Sequence, residues 1–108
     1  MSRLLILTAI AASMAGAAFA QPARPLDGKV LFHEKCGMCH GPGGMGTGLL
    51  ARRVQPAELE ERTNLNADFV FQYARRGFGN MPPITPGDAS DAELKAIAQH
   101  LAANKEAK

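Results

Sequence analysis

The chain has few cysteines and a small net charge. Of its 108 residues only Cys36 and Cys39 are cysteines, so they are the only candidates for a covalent staple. The 12 Lys and Arg residues nearly balance the 10 Asp and Glu residues. This balance excludes the basic footprint of a nucleic-acid-binding protein and the polybasic patch of a membrane-surface protein. A partner would therefore have to be recognised through a local patch.

A long, strongly apolar run is also missing. The run from Leu4 to Phe19 is rich in alanine, follows Arg3 and ends in the small-x-small sequence "AFA". That order is typical of a secretory signal peptide, and we predict cleavage after Ala20, with an uncleaved N-terminal anchor as the alternative. The mature chain would have 108 − 20 = 88 residues, no membrane span and, without Arg3, a net charge of 11 − 10 = +1. The hydrophobic core of so small a domain is only marginally stable, so a covalent cross-link or a bound group is expected to stabilise it.

Alternating strand patterns are absent, which predicts an all-α fold. We expect an exposed arm at 21–26, one domain at 27–104 and a frayed tail at 105–108, with the last helix already fraying from Asn104. The cap residues predict helices after Asp27, after Asn66 with Gly77 as the stop, and after Ser90, which forms a capping box with Glu93. A short helix is possible over 56–62. There are thus three to four helices.

Two segments are too rich in glycine and proline for regular structure. Residues 41–48 read "GPGGMGTG" and residues 77–88 read "GFGNMPPITPGD". We predict both to be irregular loops. Long loops in so small a domain suggest that they wrap around something.

The stretch "CGMCH" carries the chemistry. A Cys36–Cys39 disulfide would close a very short loop and stabilise little, and a thioredoxin-like redox pair would need a βαβ pattern. A zinc site would need a fourth ligand from His33 or His100, at a poor spacing. The reading that uses all three residues is covalent haem attachment through Cys36 and Cys39, with His40 as the proximal iron ligand. One covalent haem c would also be the missing staple.

Three segments of the chain resemble those of a known family. The segments "GKVLFHEKCGMCHGPGG", "YARRGFGNMPPI" and "DAELKAIAQHL" are similar to the small monohaem class I c-type cytochromes of bacteria, over Leu26 to Ala103. The resemblance implies the small cytochrome c fold, with long loops wrapped around one haem. It also implies a last helix that crosses the first, through Gly28, Phe32, Ile97 and His100, where His100 stands in place of the usual aromatic residue.

The resemblance further implies a methionine from a late loop as the second axial ligand. Met81, in "GNMPP", fits that position, whereas Met38 and Met45 are too close to His40 to reach the opposite face. Relatives have a proline whose carbonyl orients the proximal histidine, and here Thr47 or a neighbour is expected to supply that carbonyl. The remaining candidates are predicted to be pocket or core residues: Leu49, Phe69, Val70, Tyr73 and Phe78. The Tyr73 hydroxyl is also a candidate hydrogen-bond donor to a haem propionate.

A His/Met-ligated haem implies electron transfer rather than catalysis. We expect a periplasmic one-electron carrier, not an enzyme, whose partners are redox proteins such as a flavoprotein dehydrogenase or a terminal oxidase. The pairs Arg52-Arg53 and Arg75-Arg76, with Lys29 and Lys35, are surface charges that could form a docking ring. One alternative is a fixed subunit of a flavoprotein enzyme like 4-cresol dehydrogenase, which the last two segments also resemble. Another is a haem peroxidase or gas sensor with Met81 displaced.

Overall fold

The computed structural model describes Gly16 and residues 25–106. These residues form five α-helices, two short 3-10 helices and, as their one β feature, an isolated bridge between Phe78 and Met81. The helices are α1 (Gly28–Lys35), α2 (Gly37–His40), α3 (Met45–Leu50), α4 (Ala67–Arg76) and α5 (Asp91–Ala102), with 3-10 turns at Leu59–Glu61 and Ala103–Glu106. The predicted all-α class is confirmed, but the described residues form five α-helices where three to four were predicted, because the cysteine motif and the glycine-rich stretch after it contain the short helices α2 and α3. Apart from Gly16, the predicted signal peptide lies outside the described residues, as do residues 21–24 of the predicted arm.

The three longest helices begin at the caps that the sequence predicted. The side-chain oxygens of Asp27 and Asn66 each accept two backbone N–H groups, at the starts of α1 and α4. Ser90 and Glu93 form the reciprocal capping box of α5. Helix α4 ends at Gly77, which has a positive φ of 73°. These ends are fixed by local hydrogen bonds, which is why the sequence predicts them well.

The core lies where α1 crosses α5. Phe32 and Ile97 are each only 2 % exposed and pack together with Leu65 and Leu101. A Cβ at Gly28 would overlap the Ala96 carbonyl oxygen, so only glycine allows this close crossing. The crossing set implied by the resemblance is therefore confirmed. A second cluster of Ala74, Ala89 and Leu94, with Phe71, Met81 and Ile84 against it, joins α4 to α5 and to the loop between them.

The prediction of an irregular loop at 41–48 is wrong in its second half, where α3 begins at Met45. Gly46 lies against the preceding motif: a Cβ there would stand 2.8 Å from the Cys39 carbonyl oxygen and 3.2 Å from Cε1 of His40. Glycine is unfavourable in a helix by about 1 kcal/mol, but here it permits a contact that a larger residue would block. Tertiary packing therefore overrides the local composition.

Two other predicted segments differ. The helix expected over 56–62 is reduced to the 3-10 turn Leu59–Glu61, because Glu58 is extended with ψ 124° and Ala57 is buried. The predicted tail is described only in part: Asn104, where fraying was expected to begin, lies in the 3-10 turn Ala103–Glu106, and residues 107–108 lie outside the described residues. The Asn104 side chain donates to the backbone carbonyls of Glu60 and Arg62, at 2.7 and 3.3 Å, and so ties the 3-10 turn that follows α5 to the one at Leu59–Glu61.

Candidate haem-binding site

A cavity of about 520 Å³ opens between α1, α3, α4, α5 and the loop that carries Met81. Its volume lies within the range of sites that enclose an organic ligand, roughly 300–1,000 Å³. Cys36, Cys39, His40 and Met81 all line it, although Met81 is 41 residues from His40 along the chain. The structure thus brings the four predicted site residues together.

The cavity wall is mostly apolar. The five side chains predicted for the pocket all line it: Leu49, Phe69, Val70, Tyr73 and Phe78. Phe69 and Tyr73 stack with ring centroids 4.1 Å apart, and Phe78 lies 5.7 Å from Tyr73. Four further leucine and isoleucine side chains also line the wall: Leu59, Leu65, Ile84 and Leu94. They were not predicted to do so, because helical periodicity does not separate pocket side chains from core.

The cysteine motif forms a tight turn between α1 and α2. The Cys36 N–H donates to the Phe32 carbonyl at 2.8 Å, and the Cys36 carbonyl accepts from the N–H groups of Cys39 and His40 at 3.2 and 2.9 Å. Both cysteines are free thiols, and burial raises the pKa of Cys36. The two sulfur atoms are thus available for bonds to a group in the cavity rather than to each other.

His40 is half-buried at the end of α2. Burial lowers the pKa of its imidazole, which favours the neutral form that binds metal ions. Its Nδ1 atom is buried and has no hydrogen-bond partner among the described residues. The expected acceptor, the carbonyl of Thr47 or a neighbour, is therefore not bonded to this atom. The Thr47 carbonyl accepts from the Ala51 N–H at 2.9 Å, and the Thr47 hydroxyl donates to the Gly41 carbonyl at 2.9 Å.

Met81 sits on a fixed turn. Its N–H donates to the Phe78 carbonyl at 2.9 Å, and its carbonyl accepts from the Phe78 N–H at 3.0 Å. Gly79, with φ 56°, allows the turn between them. The Met81 side chain reaches from the Ala74 and Leu94 cluster into the cavity. A thioether, an imidazole and two free thiols on one apolar cavity are a donor set that fits haem c.

The other methionines are placed differently. The Met38 side chain is 92 % exposed. Met45 lines the cavity, but it precedes Gly46, which abuts the His40 ring, and so lies on the His40 side. Among the described methionines, Met81 is therefore the one suited to face His40 across the cavity.

His33 and His100 belong to a separate cluster. The Nε2 atoms of both imidazoles lie 2.9 Å from the same oxygen, Oε1 of Glu60. Burial tends to raise the pKa of Glu60, but the hydrogen bond from His100 and the charge of His33 outweigh it and lower the pKa. Neither histidine is thereby directed to the cysteines, and in the described part of the chain no group of three His, Cys, Asp or Glu side chains is arranged to hold a metal ion. The zinc hypothesis gains no support.

The basic pairs are not equivalent. Arg52 and Arg53 are exposed and line the rim of the cavity. Arg75 was predicted to be a surface charge, which is wrong: its side chain is only 16 % exposed and bonds Ile84 and Asp91. No pattern in the sequence could have found this, because those partners are 9 and 16 residues away.

A comparison with known protein families identifies the family to which the chain belongs. Residues 23–101 match the family model described as "Cytochrome C oxidase, cbb3-type, subunit III". Searches of curated proteins and of solved structures gave no match. Within the described residues, none of the helices is both long enough and apolar enough to cross a membrane. The chain therefore belongs to this family of c-type cytochromes and is a haem c electron-transfer protein.

Proposed function

We propose that the protein is a periplasmic one-electron carrier in which one haem c is bonded to Cys36 and Cys39 and ligated by His40 and Met81. The observation that supports this most strongly is that these four side chains line one largely apolar cavity. When bound, the haem supplies a reversible one-electron iron couple.

Each site residue would have a distinct task. The two cysteines would tether the group next to α2, and His40 would bind from the same side because it follows Cys39 directly. Met81 would bind it from the turn that its backbone forms with Phe78. A thioether would favour reduced iron relative to a second imidazole, and an iron bound by both His40 and Met81 would have no site for a substrate. The apolar wall would keep water from the iron.

The partner would meet the open side of the cavity. Arg52 and Arg53 lie on its rim and offer a local positive patch to an acidic partner. Two ionised propionates would shift the mature charge from +1 to about −1, so attraction must come from this patch rather than from the whole molecule.

The second candidate is a fixed cytochrome subunit of a larger complex. The matching family is described as a subunit of a cytochrome c oxidase, which favours an oxidase as the electron acceptor over a flavoprotein. Recovery of the haem-loaded protein from periplasm as a free monomer supports the carrier. Co-purification with oxidase subunits supports the fixed subunit, and co-purification with a flavoprotein supports the 4-cresol dehydrogenase-like alternative.

Haem attachment is tested by the intact mass of the protein produced in cells that mature c-type cytochromes. The wild type should carry one haem covalently and begin at Gln21. Cys36→Ala with Cys39→Ala should lose covalent haem, whereas Met38→Ala, between them and exposed, should keep it. Covalent haem in the double variant would contradict the assignment. Recovery of the uncleaved chain in the membrane fraction would contradict the predicted cleavage after Ala20 and favour the N-terminal anchor.

A further inference from the structure

We propose that Arg75 is a positioning residue for Met81: its guanidinium holds the segment after Met81 against α4 and so keeps the thioether at the iron. This inference rests on the proposed ligation by Met81. The hydrogen bonds of the guanidinium join three parts of the fold.

Arg75 lies in the last turn of α4, with its side chain turned inward. Its Nη1 donates to the Ile84 carbonyl at 2.9 Å, and its Nη2 donates to Oδ1 of Asp91 at 2.6 Å. The guanidinium carbon is 5.3 Å from the centre of the Phe71 ring, at a distance typical of a cation–π contact. One side chain therefore connects α4, the loop and the first residue of α5.

The loop segment is held to α4 at both of its ends. At the far end, Ile84 has both backbone polar groups engaged with α4: its N–H donates to the Ala74 carbonyl at 2.8 Å and its carbonyl accepts from Arg75. At the near end, a Cβ on Gly77 would stand 2.6 Å from the Met81 carbonyl oxygen, so residue 81 abuts the end of the helix. The segment from Met81 to Ile84 is thus anchored to α4 at both ends, and the Arg75 side chain supplies one of the two bonds at the far end.

Arginine suits this position better than lysine. Its planar fork presents two N–H groups in fixed directions, here to a carbonyl and a carboxylate, while its flat face covers a ring. An ammonium group keeps the charge but cannot reproduce this geometry. With lysine at position 75, the 82–84 segment would have one anchor fewer, and Met81 would leave the iron more often.

The test measures how fast an added ligand displaces the thioether. Ferric holoprotein is mixed with imidazole, and the exchange is followed by the loss of the methionine–iron absorption band. Arg75→Lys should accelerate the exchange about tenfold, as expected for loss of one hydrogen bond to a charged group. Asp91→Asn, which weakens the anchor of the guanidinium, should change the rate in the same direction by a smaller factor.

Two control variants separate positioning from general stability. Arg76→Lys alters the neighbouring arginine, which is exposed and lies 3.4 Å from Gln72, and should leave the rate within about twofold. Ala98→Gly destabilises α5 at a residue that is 2 % exposed, and should lower the melting temperature without accelerating exchange. The proposal is overturned if Arg75→Lys matches Arg76→Lys, or if Ala98→Gly accelerates exchange as much as Arg75→Lys does.

A final variant distinguishes the two proposals. If Met81→Ala converts the low-spin spectrum to high-spin but Arg75→Lys does not accelerate exchange, then Met81 is the ligand and only the role of Arg75 is wrong. If Met81→Ala leaves the spectrum unchanged, the ligation and the inference fail together. Should Arg75→Lys not fold, the exchange rate of Asp91→Asn decides: no acceleration overturns the proposal.

Discussion

Gly77 has no room for a side chain because Met81 lies against it. A Cβ at position 77 would stand 2.6 Å from the Met81 carbonyl oxygen and 2.8 Å from the nitrogen of Pro83. Its backbone angles, φ 73° and ψ 165°, belong to a region that is open almost only to glycine. The end of α4 and the segment with Met81 are therefore in close contact because this residue has no side chain.

Gly77→Ala should displace the Met81 segment. We expect a loss of about 1–3 kcal/mol in the free energy of unfolding, from backbone strain and the clash with Met81. The ferric holoprotein should also show a larger high-spin fraction. Chemical denaturation and the absorption spectrum measure the two effects.

Gly48→Ala is the matched control for that variant. A Cβ at Gly48 would have no neighbour within 4 Å, and the residue lies inside α3 without a positive φ. It should leave the spectrum unchanged and stability equal or higher. Equal effects of the two alanines would show that the contact between residues 77 and 81 does not matter.

Gly28→Ala should disrupt the crossing of α1 and α5. The new methyl group would overlap the Ala96 carbonyl oxygen and stand 2.9 Å from Cβ of His100, so the helices must separate. We expect a loss of about 1–3 kcal/mol, as in other overpacked cores. Val30→Ala, at a half-exposed position of the same helix, should change stability by no more than about 0.5 kcal/mol. A stable Gly28→Ala protein would refute this account of the crossing.

The cluster of Glu60 with His33 and His100 should make the free energy of unfolding depend on pH. The pKa of Glu60 is lower in the folded protein than in the unfolded chain, through His100 and His33. The folded state therefore binds fewer protons at this carboxylate, and its stabilising effect is present above the unfolded pKa and lost as pH falls through the folded pKa. Hydrogen bonds from Thr85 and Ser90 lower the pKa values of Asp88 and Glu93 in the same direction.

Glu60→Gln tests that linkage. Urea denaturation between neutral pH and about pH 3 should show a weaker loss of stability with acid than the wild type, since one depressed carboxylate is gone. Glu61→Gln, at the exposed neighbouring position, should keep the wild-type slope. If Glu60→Gln and the wild type lose stability in parallel, the shared carboxylate is not a source of the pH dependence.

The sequence predicts the parts of this fold that are determined by neighbours along the chain. Asn66 predicts the start of α4, and the capping box of Ser90 and Glu93 predicts the start of α5. These predictions succeed because a cap and its helix are only a few residues apart. The cysteine motif likewise predicts covalent haem attachment from five consecutive residues. In contrast, α3 could not be predicted because it lies in a glycine-rich stretch. Gly46 in that stretch permits a close contact with the preceding turn, which the sequence does not reveal.

The remaining features depend on contacts across the fold. Met81 could be proposed from its motif, but the placement of its turn against Gly77 required the structure. The contacts of Arg75 and Glu60 could not be predicted, because their partners lie on other elements. A basic pair or an acidic turn looks the same in sequence whether it is solvated or bonded inward.

The central claim is that His40 and Met81 together fill the axial positions of the haem iron. The most direct measurement is the uptake of carbon monoxide by the reduced holoprotein at neutral pH, without denaturant. We predict that the wild type takes up none, because both positions are occupied, and that Met81→Ala binds it readily. Ready binding by the wild type would contradict the claim and favour the peroxidase or gas-sensor alternative.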